Sequence, residues 1–290
     1  MPPNGGQARQ VVRDRRSVFW MALRMRTAEG QLGQRGYEIR ILRSDDGIHF
    51  VKIHRIQREQ IPTTGFERSA LLVDPHTGKF KLYACGPLTG DWCIFKFADV
   101  DSPEQFDPAT VKPVIEAIPS HPQGVPHPTA YKDPFILYAG GAYHCYVIGV
   151  LRSERIFHFT SADGEQWQPI GHPSESLLPL AGWHSFYYVR PACVLPIGVG
   201  YLFVYEGSSV PWEDPVYNIA TGLGFTFDLH HVTDLTPDAP LLVSPTPGRL
   251  HVWRYSHWLR VEDELWVYAE VEKPNGAHET RLFRLPRSRP

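Results

Sequence analysis

Apolar residues in this chain come in short runs broken by Gly, Pro and Asp, and long stretches with helical spacing are absent. One run recurs along the chain. It reads "VFWMALRM" (18–25), "KFKLYACG" (79–86), "AYHCYVIG" (142–149), "GYLFVYEG" (200–207) and "ELWVYAEV" (264–271). With Ala22, Tyr83, Tyr146, Tyr205 and Tyr268 as markers, the gaps are 61, 63, 59 and 63 residues. A second run precedes four of these copies: "FERSALL" (66–72), "YKDPFIL" (131–137), "YVRPACV" (188–194) and "RYSHWLR" (254–260). A third follows two of them, "RSDDGIHF" (43–50) and "TSADGEQW" (160–167), with Asp46 and Asp163 117 residues apart. Asp-Gly between strand-like runs marks a tight hairpin, because Gly tolerates positive φ.

Each unit therefore reads as strand, turn, strand, loop, strand, Asp-Gly turn, strand. Five such units predict an all-β, five-bladed β-propeller of four-stranded antiparallel blades, forming a single domain over 1–290. The competing reading is a β-sandwich with coincidental spacing. The opening segment "GGQARQVVRDRR" has little strand character, so the first blade is expected to be incomplete and residues 1–16 poorly ordered.

Composition narrows the function. The chain has 290 residues, 42% hydrophobic and 21% charged, with a formal net charge of −2 and no long basic run. The charge argues against nucleic acid as a partner, and no apolar stretch is long enough to span a membrane. The N-terminus lacks an apolar signal core, and Cys85, Cys93, Cys145 and Cys193 show no CxxC spacing. A cytoplasmic protein with reduced, buried thiols is expected, without a zinc site from these cysteines.

In a propeller the first strand of each blade is innermost, and its start opens on the face that usually holds the site. Asp74-Pro75 falls between strands one and two and is ordinary turn chemistry on the far face. Asp133-Pro134 precedes strand one and is placed to face the axis. Asp214-Pro215 belongs to the loop after strand two. The third position of the innermost segment supplies Arg68, Asp133, Arg190 and Ser256, flanked by Glu67, Tyr255 and His257, while Glu206 closes strand two of the fourth unit. Carboxylates, guanidiniums and aromatics gathered in this way suit a sugar. Trp183, Trp212 and Trp258 are candidates either for stacking on it or for blade packing.

These segments resemble the five-bladed propeller glycosidases, the arabinanase, levansucrase and invertase superfamily with its related mannoside phosphorylases. "YKDPFILYAGGAYHCYVIG" is similar to the Asp-Pro segment of the invertase-like members, which implies that Asp133 binds sugar hydroxyls and supports the transition state. "SADGEQW" is similar to the recurrent outer hairpin. "RYSHWLRVEDELWVYAE" is similar to the fifth-blade arabinanase segment, which implies a role for His257 beside a central cation. No other cofactor is implied. Two departures matter. The acid normally found on the innermost strand of blade one has no counterpart near Ala8, and Arg190 stands where arabinanases place their general acid.

The expectation is a glycoside hydrolase acting on a carbohydrate substrate. Asp133 with Glu206 or Glu67 would supply its carboxylates, and Arg68, Arg190, Tyr255, His257, Trp212 and Asp214 would hold the sugar. Two alternatives stand beside it. One is a catalytically silent sugar-binding propeller lacking the blade-one acid. The other is a phosphorylase whose nucleophile is inorganic phosphate, gripped by Arg68 and Arg190.

Overall fold

The computed structural model describes residues 5–26, 36–88, 90–179, 181–184, 188–208, 219–245, 252–275 and 277–286, with side chains from residue 10 onward. Five antiparallel sheets follow one another along the chain and are built from contiguous segments. The first holds β1 (Gly5–Arg13), β2 (Phe19–Arg26), β3 (Glu38–Ser44) and β4 (Val51–Gln57). The second holds β5 (Ala70–Val73), β6 (Phe80–Pro87), β7 (Trp92–Lys96) and β8 (Lys112–Ile115). The third holds β9 (Tyr131–Ala139), β10 (Ala142–Leu151), β11 (Ser153–Ser161) and β12 (Gln168–Ile170). The fourth holds β13 (Val189–Pro196), β14 (Tyr201–Gly207), β15 (Ala220–Thr226) and β16 (Thr233–Asp234). The fifth holds β17 (Trp253–Val261), β18 (Glu264–Glu272) and β19 (His278–Pro286), three strands among the described residues. This is the five-bladed propeller that the repeats predict. No described helix is long and apolar enough to cross a membrane.

The first blade corrects the expectation of an incomplete start. β1 pairs with β2 over its whole length, from Gly5 opposite Arg26 to Arg13 opposite Phe19. Polar residues hid this strand because it lies innermost, packed against β5 and β17. There one side of the strand meets the axis rather than an apolar layer. Buried Gln10 shows this, donating from Nε2 to the Ile136 carbonyl of the third blade at 3.0 Å.

Apolar clusters fill the seams between blades. One joins the third, fourth and fifth blades through Phe135, Tyr146, Val189, Phe203, Tyr205, Trp253 and Val267. Another closes the ring between the fifth and the first through Val11, Phe19, Met21, Trp266 and Tyr268. The repeated tyrosines act at these seams. Tyr83 donates its hydroxyl to the Gly164 carbonyl at 2.7 Å, and Tyr146 bonds the Leu229 carbonyl. Both acceptors lie in the outer hairpin of the next blade.

Those hairpins share one device. Asp46, Asp163 and Asp228 each accept two successive backbone N–H groups with Oδ1, the first from Ile48 and His49, the second from Glu165 and Gln166, the third from His230 and His231. The third copy escapes sequence matching because Leu229 stands where the others have Gly, yet it takes the same left-handed backbone, φ +67 against +71 at Gly47 and +75 at Gly164. The four cysteines are buried, and none forms a disulfide.

Candidate functional site at the propeller axis

Every innermost strand carries the same irregularity. On β9, Asp133 and Pro134 together oppose Val147, between the pairs Lys132–Ile148 and Phe135–Tyr146. On β17, Tyr255 and Ser256 together oppose Ala269. The same two-for-one count occurs at Ala8 on β1 and at Pro191 and Ala192 on β13. Ahead of β5, the Glu67 N–H bonds the Cys85 carbonyl and leaves Arg68 and Ser69 in the extra space. An inserted residue kinks a strand and re-aims its side chains. The aligned axial positions are therefore Ala8, Arg68, Asp133, Arg190 and Tyr255. In the fifth blade this corrects the expected Ser256: Arg254 opposite Glu270 matches Lys132 opposite Ile148, so the next residue, Tyr255, is the counterpart of Asp133. Asp133 and Tyr255 both sit at φ +50, uncommon for Asp and a clear outlier for a bulky ring.

The axial side chains converge. Arg190 donates from Nε to Glu206 Oε2 at 3.1 Å, and its Nη1 lies 4.0 Å from Asp133 Oδ2. Its guanidinium packs over the Tyr255 ring at 4.4 Å. Glu206 is fully buried, and its second oxygen accepts the Ser256 N–H at 2.8 Å. Asp133 Oδ1 accepts the Arg68 N–H at 3.1 Å. Arg68 crosses the axis, donating from Nη1 to the Pro191 carbonyl at 2.8 Å and from Nη2 to that of Ala192 at 2.6 Å. Glu67 pairs with Arg24, whose guanidinium lies 5.7 Å from the Tyr255 ring. On the other side Arg254 lies 5.3 Å from that ring and binds Glu270.

Arg24, Arg254 and Glu270 were missed by sequence reasoning. All three sit one step beyond the bulge, with Arg254 opposite Glu270 and Arg24 opposite Gln7. For Arg24 and Glu270 the signal was a charge within an apolar run, whereas Arg254 lies among other polar residues of β17.

The electrostatics follow from burial opposed by pairing. Burial works against the charge of Arg190, but Tyr255, Glu206, Tyr188 and Asp133 outweigh it and hold its pKa above the ordinary value. Burial lowers Arg68 despite the nearby carboxylates. Tyr255 is pushed up by burial and by the charge of Asp133. Glu270 would be raised by burial, yet Arg254 and His278 hold it well below the usual carboxylate range. Two donors of the cluster are left over: Arg190 Nη2 and Arg68 Nε, both buried, have no hydrogen-bond partner.

Other expected residues fall elsewhere. His257 is buried one layer deeper, its ring 6.0 Å from that of Phe135, and the Arg68 guanidinium lies 5.7 Å from the same ring. Among the described residues no group of three His, Cys, Asp or Glu side chains could hold a metal ion. Trp258 is core, its Nε1 bonding Ser256 Oγ at 3.3 Å. Trp183 packs on Tyr205 and bonds the Thr236 carbonyl at 2.8 Å. Asp74 is a turn residue as expected, accepting the N–H groups of His76 and Thr77. Trp212 and Asp214 lie outside the described residues.

No protein-family model matches the sequence, and no curated protein matches it significantly. Solved structures do match the fold. A structure of a BT0996–RGII complex superposes with a TM-score of 0.73 at 13% identity, covering 100% of this protein and 90% of its own length. A thermostable family-43 glycoside hydrolase gives 0.67 at 14%, covering 98% and 90%. The β-1,2-mannobiose phosphorylase of Listeria innocua, solved with β-1,2-mannobiose, gives 0.66 at 15%, covering 98% and 90%. The protein has the architecture of the five-bladed propeller glycosidases and related phosphorylases. At these identities the likeness concerns the fold.

Proposed function

We propose that the axial end of the ring binds carbohydrate, and that its polar cluster serves recognition rather than hydrolysis by paired carboxylates. The observation that carries this is the state of Arg190. It engages Glu206, faces Asp133, stacks on Tyr255 and keeps one donor unpartnered beside them. A buried, unmatched donor on a fixed guanidinium suits a ligand oxygen, such as a sugar hydroxyl.

Hydrolysis needs a protonated carboxyl and a second carboxylate as base or nucleophile. Glu206 accepts hydrogen bonds at both oxygens, so it is poised as an acceptor and not as a proton donor. Glu67 is tied to Arg24, and the first blade brings Ala8 where an acid would be needed. These contacts favour the silent reading over the expected hydrolase, with the same residues holding sugar.

The test is calorimetric titration with arabino-, xylo- and manno-oligosaccharides, run beside product analysis with and without inorganic phosphate. Saturable binding without products, weakened in Asp133→Asn, is expected. Products formed without phosphate would overturn the silent reading. Products formed only with phosphate would replace it by phosphorolysis at Arg68 and Arg190.

A further inference from the structure

Far from the axis, three imidazoles form a continuous chain across the seam between the third and fourth blades. His144 Nδ1 lies 3.0 Å from His158 Nε2, and His158 Nδ1 lies 3.2 Å from His230 Nδ1. His144 is on β10 and His158 on β11, whereas His230 is in the outer hairpin of the fourth blade. Tyr146 stacks on His158 with ring centroids 4.6 Å apart, and its hydroxyl bonds Leu229 beside His230. The centroids of His158 and His230 are 5.4 Å apart with their nitrogens at 3.2 Å, so the rings meet nearly head-on. That is hydrogen-bond geometry, not two lone pairs converging on a metal.

A neutral imidazole has one donor and one acceptor, so three neutral rings satisfy the chain when all donate in the same direction. His144 also bonds the Ala139 carbonyl, where only an N–H can act. One added proton can be carried at the outer end, on half-buried His230. A second leaves two neighbouring N–H groups facing each other with no acceptor between them.

We propose that this seam is an acid-sensitive joint. The neutral relay clasps the third and fourth blades together, and double protonation releases them before the rest of the ring unfolds. The groups around it do little to offset added positive charge. On β10 the titratable groups that face it are His144 and the Tyr146 phenol, and neither is an anion at neutral pH. The hairpin offers Asp228, but its Oδ2 is already taken by His231. The segment after β12 brings His172 and Glu175 to the wall of the same cleft of about 320 Å³. Burial lowers His144, His158 and His230 alike, with His158 held at about 3 by burial and its two imidazole neighbours. The joint bears on the axis, because the same two blades carry Asp133 and Arg190.

The test uses the full chain. Imidazole nitrogen shifts followed by NMR should show His158 neutral at about pH 5, where an exposed histidine is already charged. Amide-exchange protection factors, which correct for the intrinsic pH effect, should fall about tenfold between about pH 7.5 and pH 5 in β11 and residues 226–233, with the 44–51 hairpin unchanged. In His158→Phe the selective fall should vanish. The proposal is overturned if His158 titrates like a free histidine, if all blades lose protection equally, or if the fall persists in the variant. Should His158→Phe fail to fold, the wild-type titration decides alone.

Discussion

The Tyr268 hydroxyl donates to the Gly47 carbonyl at 2.7 Å and so ties the last blade to the first. It is the ring-closing member of the series that Tyr83 and Tyr146 form at other seams. Tyr268→Phe keeps the packing and leaves a carbonyl unmatched, which costs about 1–3 kcal/mol. Gly47→Ala should cost at least as much. A Cβ there would sit 2.6 Å from the Trp266 ring and 2.9 Å from the Tyr268 hydroxyl, on backbone at φ +71. Urea denaturation of the two variants measures both effects. A Tyr268→Phe protein as stable as wild type would show that the bond contributes nothing to closure.

Arg190 and Glu206 are both buried, and removing one partner strands the other. Arg190→Ala should lose about 3–5 kcal/mol by leaving a carboxylate without its counter-ion. Arg190→Ala combined with Glu206→Gln should be the more stable of the two variants. A double-mutant cycle in denaturant tests this ordering.

Asp133 separates backbone from charge. Asn tolerates a left-handed φ and keeps an oxygen for the Arg68 N–H, so Asp133→Asn should change stability by less than about 1 kcal/mol while weakening sugar binding. Asp133→Val brings a β-branched residue to the same φ and deprives that N–H of its acceptor, for about 2–4 kcal/mol. Thermal melts and titration calorimetry on the pair divide the two roles.

Acid should destabilise the fold through Glu270. Burial raises its pKa, but Arg254 and His278 overcome this and hold it below the ordinary value of 4.5. A carboxylate depressed in the folded state stabilises above the unfolded pKa and loses that contribution as pH falls below it. Stability should therefore drop below about pH 4.5. Glu270→Gln should be less stable at neutral pH and show a shallower acid limb. Equal slopes for the two proteins in denaturant titrations at several pH values would remove Glu270 from the account.

The repeat of markers near every sixty residues made five blades legible, because marker tyrosines and Asp-Gly turns act at fixed places in each unit. The convergence of Arg68, Asp133, Arg190, Glu206 and Tyr255 was legible too, since innermost strand starts must face the axis. What stayed hidden has local causes. The fifth-blade position is Tyr255 and not Ser256, because likeness between short apolar runs does not fix the register in which a strand pairs. Leu229 disguised the third hairpin, its burial in the core offsetting the strain of a positive φ. The relay of His144, His158 and His230 joins residues up to 86 positions apart, so no spacing along the chain announced it.

The two-for-one step on each innermost strand has an evolutionary consequence. Inward and outward alternation, which builds the seams, resumes unchanged on either side of it. The residue at the step is thus released from the pattern that constrains its neighbours. Alanine, guanidinium, carboxylate and phenol all occupy it within this one ring. A lineage could exchange these groups one blade at a time and pass between chemistries without redesigning its core.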